Sequence, residues 1–407
     1  MWLSNEKIFE LTEKYGTPLY VYDEKTLRSS CKDMLGLLPG MNFEASYSAK
    51  ANTNIELLKI IRDEGLSADA MSAGEIYMLE KAGFTSDSIF FIPNNVSEEE
   101  MRYAIERDIL ISADSLSQLE MYGRINEGGK VAVRFNPGHG FGHHDKVVTA
   151  GKHTKFGVDA CRTEEVAELI KKYKLKLAGI NQHLGSLILE KENYLSGARA
   201  LLSIAGRFDD LEFIDFGGGF GVTYKDGGAS LDLPGLAFGL KEALTEFLEG
   251  YGNKDVLFRA EPGRYIVAEC GILLGRVNAT KRSNGTEYIG TDLGFNVLAR
   301  PVMYDSYHEV KIAKKNPASN VRKLQTVVGN ICESGDILAK DRELPGADTG
   351  DIAAVLTAGA YGFVMASNYN CRLRPAEVLI GAGGTDRLIR RRETFEDLHM
   401  TQFWLND

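Results

Sequence analysis

The sequence predicts an α/β fold, a closed parallel (β/α)8 barrel joined to a mostly antiparallel β-domain, and three observations point there. Short apolar runs recur about every 22 residues from residue 43 onward, the spacing of strand-plus-helix units. Between them lie helical patterns that open on serine caps and close on glycine. After about residue 270 the long helical patterns stop, and strand-like runs follow one another with turn signals between them.

The elements follow in chain order. Residues 1–16 (MWLSNEKIFELTEKYG) have the period of an amphipathic helix and none of the features of a secretory leader. PLYVYD (18–23) alternates as a strand; it precedes the barrel and lacks a helical partner, so it is assigned to the β-domain. The barrel strands are FEASY (43–47), LSADA (66–70), SIFFI (88–92), ILISA (109–113), VAVRF (131–135), KLAGINQH (176–183), LEFIDF (211–216) and VLFRAE (256–261). Ser72 to Glu75, Ser97 to Glu100 and Ser115 to Gln118 read as capping boxes, and Gly65 and Gly83 sit where a helix would end. Eight such units suit a closed barrel better than a doubly wound open sheet. Strand-like runs at 271–279, 286–291, 309–314, 324–329 and 352–358 make up the β-domain, with Asn284-Gly285 as a hairpin turn. The predicted domains are therefore 25–269 for the barrel, and 1–24 with 270–407 for a discontinuous β-domain. Arg390-Arg391-Arg392, followed by Glu393, Glu396 and Asp397, reads as a solvated helix face.

Composition narrows the function classes. Of 407 residues, 44% are hydrophobic and 26% charged, as in soluble globular proteins. Forty-seven basic against 57 acidic residues give a net charge of −10, which argues against nucleic acid as a partner. No apolar run reaches the ~18 residues of a membrane span, and a cytoplasmic location is expected. The five cysteines (31, 161, 270, 332, 371) are odd in number and scattered, which argues against a disulfide framework or a metal site.

In such a barrel, chemistry collects at the C-terminal ends of the strands. Those ends carry Lys50 within YSAKAN (47–52), Asp69, Arg134, His183 and Ser186 within HLGS, Gly217-Gly218-Gly219 and Glu261-Pro262-Gly263-Arg264. Each has an ordinary reading taken singly: a surface lysine, a core histidine, a tight turn, a loop ion pair. A glycine loop after strand seven, however, lets backbone N–H groups approach a phosphate. A lysine at the same mouth is a candidate imine-forming amine. Lysine, phosphate loop and acid together describe a pyridoxal phosphate site, with Glu261 keeping the ring nitrogen protonated.

Ordered motifs over residues 15–400 resemble the barrel-type (fold type III) pyridoxal phosphate-dependent decarboxylases, in their diaminopimelate decarboxylase branch. They are YSAKAN (47–52), DAMSAGE (69–75), KFG (155–157), HLGS (183–186), GGG (217–219), EPGR (261–264), RPVMYDSYH (300–308), CESGD (332–336), GAYG (359–362) and MASNYN (365–370). The resemblance implies a TIM barrel of the alanine racemase-like type, pyridoxal 5'-phosphate as cofactor, and decarboxylation of meso-2,6-diaminopimelate to L-lysine and CO2, the last step of lysine biosynthesis. It also implies residue roles. Lys50 would hold the cofactor covalently and His183 would stack on its ring. Ser186, Gly218, Gly219, Gly263 and the backbone around Arg264 would hold the phosphate, with Tyr361 nearby. Glu261 would meet the ring nitrogen, and Asp69 and Arg134 would orient the cofactor side. Arg264, Arg300, Tyr304, Glu333 and Tyr361 would bind the amino-acid substrate. Cys332 would protonate Cα after CO2 leaves, and Cys332 and Glu333 would reach the neighbouring site of a homodimer. Two positions depart from the family: Leu187 stands where glutamine is usual, and Asn330 where proline is usual. Charge favours diaminopimelate, whose distal carboxylate can meet Arg300 in a fork and whose distal amine can meet Glu333. The alternative is a related decarboxylase acting on D- or L-lysine, ornithine or a siderophore-type precursor; lysine and ornithine would leave Arg300 without an anion.

Overall fold

Each of the eight apolar runs predicted for the barrel forms a strand in the computed structural model, which describes residues 1–138, 140–142, 149–151, 154–315 and 321–403. The described chain divides into two units. One comprises Arg28–Val222 and Ala229–Ile266; the other comprises Met1–Leu27, Thr223–Gly228 and Val267–Asp407.

The first unit is the barrel. Its strands are β2 (Phe43–Ser48), β3 (Ser67–Ala70), β4 (Ile89–Phe91), β5 (Leu110–Ala113), β6 (Lys130–Asn136), β7 (Lys176–Asn181), β8 (Phe213–Asp215) and β9 (Leu257–Ala260), after β1 (Leu19–Asp23) of the other unit. Each pairs in parallel with its sequence neighbours, and β9 closes the ring on β2 with Phe258 opposite Phe43. Both faces of a parallel barrel strand are covered, so these strands read as apolar runs rather than alternations. Phe90, Ile92, Ala132, Ala178 and Phe213 form a buried cluster there.

The caps behave as the sequence predicts, with one refinement. Ser97 and Glu100 make the full reciprocal box at the start of α5 (Glu98–Ile105). Ser72 and Ser115 cap α4 (Ala73–Ala82) and α6 (Leu116–Ile125), but their third-position partners turn elsewhere: Glu75 accepts from the Met71 N–H at 2.7 Å, and Gln118 donates to the Val96 carbonyl at 3.1 Å. Gly83 ends α4 at φ 89°, a left-handed conformation that only glycine takes freely.

The second unit is a mixed sheet. Its strands are β1, then β10 (Gly271–Ser283), β11 (Thr286–Thr291), β12 (Val310–Ala313), β13 (Arg322–Val328), β14 (Ile337–Pro345), β15 (Ile352–Val355), β16 (Ala376–Ile380) and β17 (Asp386–Arg390). The order is β14-β13-β11-β10-β1-β16-β17, with β15 on β10 and β12 on β15. Most pairings are antiparallel; β1 with β16 and β11 with β13 are parallel. As expected, PLYVYD joins this sheet, and Asn284 and Gly285 turn the β10–β11 hairpin with both φ angles positive. The core packs Ile8 and Leu11 of α1 (Asn5–Tyr15) against Leu19, Val21, Ile272, Leu274 and Val378.

One expectation is corrected. Arg390 to Arg392 are not a helix face. Arg390 closes β17, pairs with the buried Glu377 of β16 and lies 4.4 Å from the Phe363 ring centroid. Arg392 donates to the Pro18 carbonyl at 2.6 Å. The run owes its charge to partners inside the sheet unit, which its spacing alone does not reveal. Only Arg391, paired with Asp397 at 2.5 Å, keeps a solvated ion pair.

Candidate active site

The barrel strands deliver their chemistry at one end. After β2 a single turn (Ala49–Ala51) presents Lys50, whose Nζ lies 4.0 Å from Met71 Sδ. Asp69, fully buried on β3, accepts from Ser48 Oγ at 2.5 Å through Oδ2. Arg134 is buried on β6, 3.5 Å from Asp114 Oδ1, with its guanidinium 4.6 Å from the Phe156 ring centroid. Beyond β7, His183 Nδ1 accepts from the Gly218 N–H at 3.2 Å and stands 3.8 Å from Glu261 Oε2. Ser186 Oγ accepts from Arg264 Nη2 at 2.7 Å. Asp215 ends β8, and its Oδ1 accepts from the Gly217 N–H at 2.8 Å.

The carboxylates of Asp69, Asp215 and Glu261 are buried in one barrel, as is that of Asp114. Burial disfavours their charged forms and raises all four. Asp215 is pushed up to about 7. Glu261 stands well above the usual carboxylate range, because burial is reinforced by repulsion from Asp215 and Asp69; Lys50 and Arg134 only partly oppose it. Burial, with Lys50 and Arg134 nearby, holds His183 well below its usual value. The imidazole is therefore neutral. Because Nδ1 accepts from Gly218, its proton resides on Nε2.

The residues fit the group that the motifs imply. Glu261 Oε1 is buried and has no hydrogen-bond partner among the described residues, which suits a carboxyl that would face a ring nitrogen. The glycine loop has no room for side chains. A Cβ at Gly217 would fall 2.1 Å from the Gln182 carbonyl oxygen, and one at Gly218 would fall 2.3 Å from the Glu261 carbonyl oxygen. Gly219 has φ 106°, and a Cβ at Gly263 would lie 2.8 Å from Ser48 Cβ. An amine, an unsatisfied acid, a neutral imidazole and a glycine cradle match the aldehyde, ring nitrogen, ring face and phosphate of pyridoxal phosphate.

The remaining expected residues belong to the sheet unit. Arg300 and Tyr304 bound α11 (Arg300–Tyr304). Arg300 is buried; it donates to His308 Nε2 at 2.9 Å and lies 4.7 Å from the Tyr224 ring centroid. Cys332 and Glu333 are exposed on the loop between β13 and β14. That loop is shaped by Asp336, which accepts from the Phe295 and Ile331 N–H groups at 2.8 Å each. Tyr361 takes a left-handed φ of 54°. Of the two departures, Leu187 has φ 60°, and Asn330 Nδ2 donates to the Asp292 carbonyl at 3.4 Å.

The sequence reading passed over Ser48, Asp114 and Asp215. The signal for Asp215 was present: an acid inside the apolar run LEFIDF, two residues before three consecutive glycines.

The sequence profile described as "Pyridoxal-dependent decarboxylase, pyridoxal binding domain" matches residues 24–268. A diaminopimelate decarboxylase of Methanothermobacter thermautotrophicus is 41% identical over 397 residues, covering 96% of this chain and 92% of the relative. That of Escherichia coli K12 is 32% identical, covering 97% and 96%. Among solved structures, diaminopimelate decarboxylase from Helicobacter pylori complexed with L-lysine superposes with a TM-score of 0.89 at 30% identity, covering 96% of this chain and 98% of that one. A lysine/ornithine decarboxylase from Vibrio vulnificus, with a TM-score of 0.80 at 22% identity, shares the fold.

Proposed function

This chain belongs to the pyridoxal-dependent decarboxylases, and on that premise we propose how its residues divide the work of converting meso-2,6-diaminopimelate to L-lysine and CO2. The enzyme is a pyridoxal phosphate-dependent diaminopimelate decarboxylase. The observation that carries the division of labour is the buried Glu261 carboxyl, whose Oε1 has no hydrogen-bond partner among the described residues and which feels the charge of Lys50.

Bound there, pyridoxal phosphate supplies an electron-accepting ring that takes up the pair left at Cα when the carboxylate departs. Lys50 holds the cofactor through its amine. Glu261 would face the ring nitrogen and share a proton with it; a positive nitrogen at that point would favour the carboxylate form that burial alone disfavours. His183, neutral and fixed by Gly218, presents an uncharged face to the ring. The loop 217–219 and the Ser186–Arg264 pair take the phosphate. Arg300 meets the distal carboxylate of the substrate as a planar fork, Glu333 meets the distal amine, and Tyr304 and Tyr361 line the same substrate. Cys332 delivers the proton to Cα. Because Cys332 and Glu333 stand on an exposed loop, we assign them to the neighbouring subunit's site in a homodimer. No described helix is long and apolar enough to cross a membrane; a small, water-soluble amino-acid substrate suits the cytoplasmic location that we propose.

The test is CO2 release from meso-diaminopimelate, D- and L-lysine and D- and L-ornithine, with Lys50→Ala as control. Release from diaminopimelate alone, lost in the variant, is the expected result. Faster release from lysine or ornithine would overturn the substrate.

A further inference from the structure

The motif Ser367-Asn368-Tyr369-Asn370 has no part in the reaction as set out above. The structure gives it an unusual backbone. Asn370 (φ 56°, ψ 26°) and Cys371 (φ 53°) are consecutive left-handed residues without glycine. Asparagine tolerates that conformation and cysteine does not do so readily, so something must hold the turn there.

What holds it is the loop of Cys332. The Cys332 N–H donates to Asn370 Oδ1 at 3.0 Å. An N–H can only donate, so the carbonyl oxygen of the amide must face it, and the NH2 is left facing the sulfur. Asn370 Nδ2 indeed lies 3.1 Å from Cys332 Sγ. One residue earlier, Tyr369 Oη donates to Glu333 Oε1 at 2.8 Å. Two consecutive residues thus grip two consecutive residues. The grip is anchored from behind: Ser367 N–H donates to the Asn296 carbonyl at 2.8 Å, Asn368 Nδ2 to the Arg372 carbonyl at 3.0 Å, and Arg372 Nη2 to the Asn330 carbonyl at 2.9 Å. The Tyr369 ring also stacks on Phe295, with centroids 5.7 Å apart.

We propose that Asn370 and Tyr369 are positioning residues with separate duties: Asn370 aims the Cys332 thiol and stabilises its thiolate, and Tyr369 fixes the Glu333 carboxylate for the substrate's distal amine. The proposal rests on the roles given above to Cys332 and Glu333. In the protonation step the S–H bond breaks and a Cα–H bond forms with the electron pair at Cα. Sulfur keeps its own pair as a thiolate, and solvent later returns the proton. The Asn370 Nδ2–H points at the sulfur where that negative charge appears, so its hydrogen bond strengthens as the step proceeds. Tyr369 lies within reach of Cys332 as well, but its chief partner is Glu333, a group that meets the unreacting end of the substrate, where contacts are the same before and during reaction.

The two duties separate kinetically, which a merely structural role for the turn would not do. In the holoenzyme, Asn370→Gly accepts φ 56° without strain and deletes the amide, while Asn370→Asp tolerates the turn and replaces the donor by an anionic oxygen. Both should lower kcat for meso-diaminopimelate by roughly 10- to 100-fold with KM nearly unchanged, the range expected for a hydrogen bond to a charged group. Tyr369→Phe should raise KM by about 5- to 10-fold and leave kcat nearly unchanged. Combined with Cys332→Ala, Asn370→Gly should cost nothing further, since the sulfur it serves is gone. Parallel changes in kcat and KM for both positions, an additive loss in the double variant, or no change in either would overturn the assignment. If Cys332→Ala itself leaves kcat intact, the reading of Cys332 as proton donor falls and the duty of Asn370 with it. If Cys332→Ala is impaired while both Asn370 variants are not, the grip alone is wrong.

Discussion

Among single residues, Asp215 carries a burden that the sequence did not announce. Burial lifts it from 3.8 to about 7, so between those values the folded chain keeps a proton that the unfolded chain has lost. Folding then takes up a proton, and stability falls as pH rises through that window. Asp215→Asn retains an oxygen for the Gly217 N–H and removes the ionisation. Relative to the parent apoprotein, the variant should gain about 2–3 kcal/mol more at pH 8 than at pH 5. Urea unfolding at the two values reads this, and a gap that does not widen with pH would remove Asp215 as its source. Arg300 poses a different question: it is buried beside the Tyr224 ring and His308, and we propose that it meets the distal carboxylate of the substrate. Arg300→Leu should cost diaminopimelate about 2–5 kcal/mol of transition-state binding, a factor of roughly 30 to several thousand in kcat/KM. Lysine, which lacks a distal carboxylate, should react no more slowly than before. Equal losses for both substrates would assign Arg300 to the fold. Lys50, His183 and Glu261 were legible because motif and strand end coincide. Asp215 carried a weaker signal, an acid within LEFIDF just before the glycine loop, and the chemical consequence of that place follows only from its burial.

At the scale of elements, legibility followed burial on both faces. The barrel strands are short apolar runs set between capped helices, and all eight stand where those signals place them. The strands β14, β16 and β17 escaped notice for separable reasons. Strand β14 carries Lys340, Asp341, Arg342 and Glu343 in succession, with Asp341 at φ 50°, so its pattern is charged and interrupted. Strands β16 and β17 are five residues each and flank Gly381-Ala-Gly-Gly384, a hairpin signal that a finer reading would have used. Element ends also set the cost of small changes. Ser97→Ala removes one half of a reciprocal cap and should cost about 1 kcal/mol. Gly359→Ala should cost several times more, because its Cβ would lie 1.8 Å from the Val267 carbonyl oxygen, and backbone cannot step aside as a side-chain tip can. Urea midpoints for the two variants should rank in that order; the reverse ranking would mean that the loop around Gly359 relaxes freely.

For the molecule as a whole, the predicted association can be tested by complementation. If each active site takes Lys50 from one chain and Cys332 from the other, a mixed dimer of Lys50→Ala and Cys332→Ala chains contains one intact site. Free exchange makes about half the dimers mixed, so mixing two nearly inactive variants should restore up to roughly a quarter of parental activity. No recovery after exchange has been verified by mass would show that each chain builds its own site. A further consequence follows from the place of β1 in its sheet, between β10 and β16. Its partners are Gly271 to Leu274 on one edge and Ala376 to Ile380 on the other. A ribosome adding about 5–20 residues per second would release Leu19 on the order of 20–70 s before Ile380. Both edges of β1 stay bare until Gly271 to Leu274 emerge, about 13–50 s after Leu19 at that rate, and the other edge waits longer still for Ala376 to Ile380, while every residue of the barrel emerges in between. The strand β1 is thus enclosed only after the barrel has been made, and until then its edges are open to chaperones and to stray pairing with neighbouring chains.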